Sequence, residues 1–249
     1  MPVITISRQF GAAGVPIGRA LADRFRAEFL DRAIVGQVAL RSGIPESELE
    51  SYDERLPSLW HRLASALASG SPEIAMPPLP HDQLPSMSMH DRLVTITRVV
   101  IEEAAARGNA VILGRGGAFI LGRRTGVLNV QLHAAMDARV RYLLSRVEEI
   151  PPETRPDERS LRQLCNSIDH ARADYIRRLF GADWMDARHY DLAIDSGRFG
   201  IDQTVELIAA AAERQLAETG APEPETSPED GPASEPEPAR EPEGRQPAE

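Results

Sequence analysis

The sequence predicts an α/β protein in which a parallel β-sheet carries helices on both faces. Two observations predict this fold. Short β-branched or apolar segments alternate with longer segments of helical periodicity, and glycines stand where the first strand meets the first helix. Strands that alternate with helices pair in parallel, because each helix returns the chain to the starting edge of the sheet. The 249 residues, of which 42% are apolar, suffice for one such domain with a packed core.

The first predicted elements are a strand at residues 3–6, a glycine-bearing loop at residues 11–14 and a helix. Pro16 fits the first turn of that helix, and its apolar face follows with helical spacing at Ile17, Leu21 and Phe25. Glycines in such a loop let backbone N–H groups point at an anion, and the helix N-terminus adds the positive end of its dipole. The loop is therefore interpreted either as a phosphate-binding loop or as a tight turn.

The remaining elements continue the alternation. Further strands are predicted at 28–31, 110–113, 127–133 and 191–195, and helices at 91–107, 136–149, 158–180 and 203–216. The span from about 35 to 90 is too long for one crossover and predicts an inserted helical subdomain. The span from about 145 to 180 is expected to be a second, mobile piece. All of these belong to one predicted domain, residues 1–216.

Residues 217–249 have a different composition. They contain ten acidic residues, two arginines and eight prolines, so this segment carries −8 of the net charge of −10. Such a composition cannot bury a core and predicts a disordered acidic tail. Its role is open between a solubilising tail and a segment that docks a protein partner or competes with phosphates for arginines.

The chain contains no lysine, so all 28 basic residues are arginines. A full P-loop, G-x-x-x-x-G-K-[ST], supplies a lysine for the phosphates and a hydroxyl for Mg²⁺. When the loop is aligned on the start of the helix, Gly14 replaces the lysine, Pro16 the hydroxyl residue and Arg8 the first glycine. The positive charge must then come from Arg8 or Arg19, and Arg8 is favoured because it lies at the loop mouth. The predicted cofactor-binding residues are Arg8, Gly11, Ala12, Ala13, Gly14, Val15 and Pro16.

Charged residues also follow later predicted strands and lie on one helix. Asp31 ends the second strand, and Arg115 follows the third strand between two glycines. Ligands of open α/β sheets bind beyond the carboxyl ends of the strands, where an arginine suits phosphate recognition. Asp169 and Arg172 are i, i+3 neighbours on the helix at 158–180. That helix is either a solvated, salt-bridged surface or a lid whose arginines close over a transferring phosphoryl group.

Several functional classes are disfavoured. The sequence has no apolar run of membrane-spanning length and no secretory signal at its start, and its single cysteine excludes an internal disulfide, so a cytoplasmic protein is expected. The six histidines show no metal-site spacing, and no metal ligand is predicted. Nucleic-acid binding is disfavoured because the predicted domain is nearly neutral and lacks a long basic stripe.

An ordered set of motifs resembles the cytidylate kinase-like family, over roughly residues 1–210. The matching stretches are residues 6–14, 29–32, 111–121, 169–178 and 183–192. The resemblance implies the P-loop fold of nucleoside monophosphate kinases, with a parallel sheet in three layers, an inserted monophosphate-binding subdomain and a lid. It also implies transfer of the ATP γ-phosphoryl group to CMP or dCMP, with Mg²⁺.

The resemblance also implies roles for particular residues. Gly114 and Arg115 match a Gly-Arg-Asp motif that holds the monophosphate, but a glycine replaces the aspartate. Arg115 and Arg172 would be catalytic. The substrate-binding residues would be Asp31, Arg92 (with Arg98 as the alternative), Arg115, Asp169 and Arg172. Two hypotheses follow: an active kinase that uses arginines in place of the lysine, or a non-catalytic, nucleotide-binding regulatory protein of the same fold.

Overall fold

The computed structural model describes residues 2–31, 89–146 and 155–220, and within them the chain builds one five-stranded sheet. The strands are β1 (Val3–Arg8), β2 (Glu28–Leu30), β3 (Ala110–Leu113), β4 (Val127–His133) and β5 (Leu192–Asp195). They lie in the order β2-β3-β1-β4-β5, and each neighbouring pair is parallel. The five predicted strands and their parallel pairing are confirmed.

Six α-helices connect or follow these strands in the described part of the chain. They are α1 (Gly14–Phe25), α2 (Met89–Arg107), α3 (Gly117–Leu121), α4 (Met136–Ser145), α5 (Glu158–Phe180) and α6 (Ser196–Gly220). The short helix α3 was not predicted. Helix α6 begins before the predicted residue 203, bends at Gly200 (φ 74°) and extends four residues into the segment assigned to the tail.

Some predictions lie outside the described residues. These are almost all of the inserted subdomain at 35–90, residues 147–154 of the mobile piece and residues 221–249 of the acidic tail.

Two apolar clusters, one on each face of the sheet, make the protein three-layered. On one face, Ile4 and Val130 of the sheet pack against α1 and α6. The buried side chains from these two helices include Ile17, Leu21 and Ile208. On the other face, strand residues pack with α2 and α3, and the cluster includes Val3, Ile112, Val100, Ile101 and Ile120. Successive residues of β1, β3 and β4 are buried along most of each strand because both of their faces are covered by helices.

The parallel sheet places the functional loops side by side. β1 is the central strand, with β3 and β4 as its neighbours, so the loop after β1 (residues 9–13) lies beside the loop after β3 (residues 114–116). In the described part of the chain, no helix is long and apolar enough to cross a membrane.

Candidate functional site

The loop after β1 has the backbone of an anion-binding turn. Gly11 (φ 81°) and Ala13 (φ 53°) are both left-handed. A Cβ at Gly11 would lie 3.0 Å from the Cβ of Arg139 and 3.1 Å from its carbonyl oxygen, so the loop fits against α4 only with glycine there. Ala13 is the N-cap residue of α1 and provides no side-chain cap, so the N-terminus of α1 offers its N–H groups and dipole to an anion.

Arg8, the last residue of β1, links this loop to the loop after β3. A Cβ at Gly14 would lie 2.7 Å from Cγ of Arg8, so the stem of the arginine rests on the first residue of α1. A Cβ at Gly114 would lie 2.1 Å from Nη1 of Arg8, so the guanidinium rests on Gly114. Arg8 therefore places a positive charge between the two loops, and both glycines are needed to leave it room.

The loop after β3 holds a strained arginine. Gly114, Arg115 and Gly116 have φ values of 78°, 56° and 73°, three successive left-handed residues. For a non-glycine residue such as Arg115 this conformation costs about 1–2 kcal/mol. A Cβ at Gly116 would lie 2.9 Å from Cε2 of Phe180, so α5 packs closely on the other side of the loop. Strain of this kind is concentrated at functional sites, where the surrounding packing maintains it.

Between these parts lies an open cleft. Its walls come from β1, the segment 114–119, α5 and Trp184, and its lining includes Arg8, Arg115, Arg172 and Tyr175. Nη1 of Arg172 donates to the carbonyl oxygen of Arg8 at 2.7 Å, so β1 and α5 are joined at the cleft. The cleft thus brings together three arginines predicted from the sequence, at the carboxyl ends of two neighbouring strands.

A hydrogen-bonded ring that the sequence did not predict closes one end of the cleft. Nε1 of Trp184 donates to Oγ of Ser7 at 2.6 Å, and the Tyr190 hydroxyl donates to the Trp184 carbonyl oxygen at 2.9 Å and lies 3.2 Å from Oγ of Ser7. Burial raises the pKa of Tyr190 to about 12. Trp184 is 4% exposed, so its ring is packed inside the protein.

Asp169 uses both carboxylate oxygens on other parts of the protein. Oδ1 accepts the backbone N–H of Phe10 at 2.8 Å, and Oδ2 pairs with Nη1 of Arg139 at 2.5 Å. The same Arg139 nitrogen donates to the carbonyl oxygen of Phe10 at 3.2 Å. Arg139 was not predicted, and nothing in its local sequence marks it, because it is one of several arginines on ordinary helices.

The other predicted residues lie around this centre. Ala12 and Ala13 are buried, and Val15 and Pro16 are half-buried in the first turn of α1. Arg19 lies over the ring of Phe29, with its Cζ 5.8 Å from the ring centroid. Because Phe29 belongs to β2, Arg19 is engaged at the other side of α1, and the choice of Arg8 over Arg19 stays a prediction.

Two further predicted positions belong to β2 and α2. Asp31 directly follows β2 and is 8% exposed, so its carboxylate is largely withdrawn from solvent. Arg92 lies in the first turn of α2. The alternative to it, Arg98, pairs with Glu102 on the surface of α2 at 3.8 Å. The roles assigned to Asp31 and Arg92 stay predictions.

The fold and these loops define an α/β protein of the P-loop type. The profile of the cytidylate kinase-like family matches residues 3–198, and the chain belongs to that family. Membership confirms the resemblance drawn from the motifs and supports a kinase-like function.

Similar solved structures cover most of the chain at low identity. An uncharacterised protein from Eubacterium ventriosum is 17% identical, with 86% of this chain and 99% of that one covered and a TM-score of 0.57. A gluconokinase from Sinorhizobium meliloti is 12% identical, with coverages of 88% and 97% and a TM-score of 0.46. A shikimate kinase from Bacteroides thetaiotaomicron is 14% identical, with coverages of 85% and 98% and a TM-score of 0.44.

A curated relative shares only part of the sequence. The uronate isomerase of Corynebacterium glutamicum is 28% identical over 121 residues, which are 48% of this chain and 21% of that protein.

Proposed function

We propose that the protein is an ATP-dependent nucleoside monophosphate kinase that phosphorylates a pyrimidine monophosphate such as CMP or dCMP, with arginines in place of the P-loop lysine. The observation that carries this proposal is the position of Arg8. Its stem rests on Gly14, at the N-terminus of α1, and its guanidinium rests on Gly114, beside Arg115. A transferring phosphoryl group passes between a donor held at the first loop and an acceptor held at the second.

The chain's own residues have separate tasks in this reaction. The N-terminus of α1 and Arg8 hold the phosphates of ATP, and Arg115 holds the phosphate of the acceptor. An acceptor phosphate oxygen forms a bond to the γ-phosphorus, the bond to the bridging oxygen of ADP breaks, and a diphosphate leaves with ADP. Arg172 faces the same cleft and offsets the negative charge that gathers there. Phosphoryl transfer depends chiefly on such positioning and charge.

The lining of the cleft supports a planar acceptor. Phe119, Tyr175 and Trp184 border it together with the arginines. Phe119 also contacts the rings of Phe180 and His189, with centroids 5.5 and 5.2 Å apart, so its position is fixed by packing. Aromatic faces can stack on a base while an arginine holds the phosphate. The preference for a pyrimidine rests on family membership.

The described residues do not fit a resident Mg²⁺ site. They include no group of three or more His, Cys, Asp or Glu side chains placed to hold a metal. The loop position that supplies a hydroxyl in a full P-loop is Pro16. Mg²⁺ is therefore proposed to enter with ATP.

Pro16 and Gly116 favour a second candidate function. Each stands where a polar side chain is expected. Pro16 takes the place of the P-loop hydroxyl residue, and Gly116 takes the place of the aspartate in the Gly-Arg-Asp motif. A protein that keeps the arginines but lacks these groups can bind nucleotides as a regulatory subunit without transferring phosphate. A protein partner for the tail at 217–249 and a cytoplasmic location also stay predictions.

A turnover assay separates the two candidates. The purified chain is given ATP, Mg²⁺ and each common monophosphate, and ADP formation is measured. Arg8→Ala and Arg115→Ala should each lower kcat by about 10²–10³-fold, because each removes a preorganised charge at the transferring group. Arg177→Ala is the control, since Arg177 pairs with Asp174 on the exposed side of α5. Saturable nucleotide binding without turnover would favour the regulatory protein. If the chain showed no binding and no turnover, both candidate functions would be refuted.

A further inference from the structure

The backbone N–H and carbonyl of Phe10, in the loop after β1, are both held by an ion pair between side chains of two helices that are distant in the sequence. Asp169 of α5 accepts its N–H, and Arg139 of α4 donates to the carbonyl oxygen of the same residue. The two side chains also pair with each other at 2.5 Å. We call the carboxylate of Asp169 and the guanidinium of Arg139 the loop clamp.

Burial makes the loop clamp more than a surface ion pair. The side chain of Arg139 is 6% exposed and that of Asp169 is 14% exposed. A charge that loses its partner in such surroundings is strongly destabilised, so each residue depends on the other. Because both also bind Phe10, a change at either end of the pair reaches the loop backbone directly.

Packing transmits the same constraint to the neighbouring residue. Gly11 lies so close to Arg139 that a Cβ on Gly11 would crowd the Cβ and the carbonyl oxygen of Arg139. Phe10 packs on the cluster of Val140, Leu143 and Cys165. The loop therefore takes its shape from α4 and α5 as well as from β1 and α1.

We propose that Arg139 and Asp169 are positioning residues that hold the phosphate loop in its ATP-binding conformation, so that Asp169 acts on the donor site and not on the acceptor. The proposal rests on the function proposed above. It differs from the role that the family motif implies for Asp169, because its carboxylate is engaged within the protein: Oδ1 accepts from Phe10 and lies 3.7 Å from Nη1 of Arg172, and Oδ2 pairs with Arg139.

The test compares the two substrates separately. Asp169→Asn keeps an acceptor for the Phe10 N–H but removes the charge, and Arg139→Met removes the other partner. Calorimetry on the full chain with Mg²⁺–ATP and with CMP should show ATP affinity weakened by about tenfold or more, since a displaced loop misaligns its donors. CMP affinity should change by less than about threefold, and the double variant should be no weaker than the worse single variant within the same factor.

Two readouts keep the test informative if a variant folds poorly or ATP does not bind. Gly11→Ala leaves both charges in place but crowds Arg139, and Gly126→Ala is its control, since Gly126 has the same φ of 81° in open space. Only Gly11→Ala should weaken ATP binding. Separately, hydrogen exchange of the Phe10 amide should accelerate in Asp169→Asn.

The results that would contradict the proposal can be told apart from one another. Weaker CMP binding with unchanged ATP binding would make Asp169 an acceptor ligand and overturn the proposal. Unchanged affinities with a lowered Tm would make the pair a structural one only. If the wild type binds no nucleotide, the proposed function fails, and the loop clamp is judged by the Phe10 amide alone. Unchanged exchange there would overturn it.

Discussion

Arg115 combines a charge that is proposed to hold the acceptor phosphate with an unfavourable backbone conformation, and the two can be separated. Its φ of 56° suits glycine better than arginine. Arg115→Gly should therefore stabilise the protein by about 1 kcal/mol, which raises Tm by roughly 2–4 °C for a chain of this size. Arg115→Ala removes the same guanidinium but keeps the strain, so it should leave Tm lower than Arg115→Gly.

The measurement is thermal unfolding of both variants together with nucleotide turnover. Turnover should fall equally in the two variants, because the lost group is the same. A lower Tm for Arg115→Gly than for wild type would contradict the argument that the backbone, and not the side chain, stores the strain.

The position of Arg8 can be tested without replacing it. In Gly114→Ala the new methyl group would lie 2.1 Å from Nη1 of Arg8, so the guanidinium must move away. We expect turnover to fall by about 10²-fold, as for a catalytic group misplaced by an ångström. Gly126→Ala imposes similar left-handed strain in open space and should keep wild-type turnover. Equal turnover in the two variants would show that the position of Arg8 does not matter.

The sequence predicted the residues whose charge or flexibility is visible locally. Arg8, Gly11, Gly14 and Arg115 stand beside strand ends, so their approximate location followed once the strands were placed. Arg139 could not be found in this way. Its importance arises from a contact with a residue 129 positions away along the chain, and no local pattern encodes that contact.

Helices α4 and α5 pack against each other, and a buried cysteine between them can report whether they stay packed. Cys165 of α5 is fully buried between them, beside Val140, Leu143 and Leu161. Burial raises the pKa of its thiol to about 11, so the reactive thiolate is scarce at neutral pH. The predicted bounds of α5, residues 158–180, agree with the structure, in which the side chain of Asp157 caps its N-terminus.

Labelling of Cys165 should therefore require the two helices to separate. An aromatic disulfide reagent at neutral pH should react on the order of 10³-fold more slowly with the native protein than with the urea-unfolded chain. Saturating ATP should slow the reaction further, since the phosphate loop is bound to both helices through Phe10. Rapid, stoichiometric labelling of the native protein would mean that α4 and α5 do not stay packed in solution.

At the scale of the whole molecule, the lack of lysine simplifies alkaline titration. Tyr190 has a pKa of about 12 in the folded protein against 10.0 for the free side chain, because burial disfavours the phenolate. The folded state therefore binds this proton more tightly than the unfolded chain. This contribution to stability is complete below pH 10 and is lost as pH rises towards 12.

Tyr190→Phe should reduce the fall in the free energy of unfolding between pH 10 and 12. It also removes hydrogen bonds at the end of the cleft, at a cost of about 1 kcal/mol near pH 7. Denaturant unfolding of both proteins at several pH values between 8 and 12 measures the difference. Identical slopes above pH 10 would show that Tyr190 does not govern the alkaline limb.

The three-layer architecture followed from the alternation of strands and helices, but the strand order did not. The alternation of strands and helices predicts that neighbouring strands are parallel, but it does not predict which strands are neighbours. The central place of β1 depends on matching apolar faces across more than 100 residues, from Ile4 to Val111 and Leu128. Such pairings are a property of the assembled core and not of any segment.

The central position of β1 also governs the order in which the chain can fold during synthesis. Its partners among the described strands are β3 and β4, which end at residues 113 and 133, so β1 is made about a hundred or more residues before either partner is complete. At about 5–20 residues per second this interval lasts roughly 5–25 seconds. For that time the apolar Val-Ile-Thr-Ile segment of β1 lacks both of these partner strands, and a chaperone can bind it or another copy can capture it. The strand that carries the loop of residues 9–13 is thus made long before the two strands that pair with it.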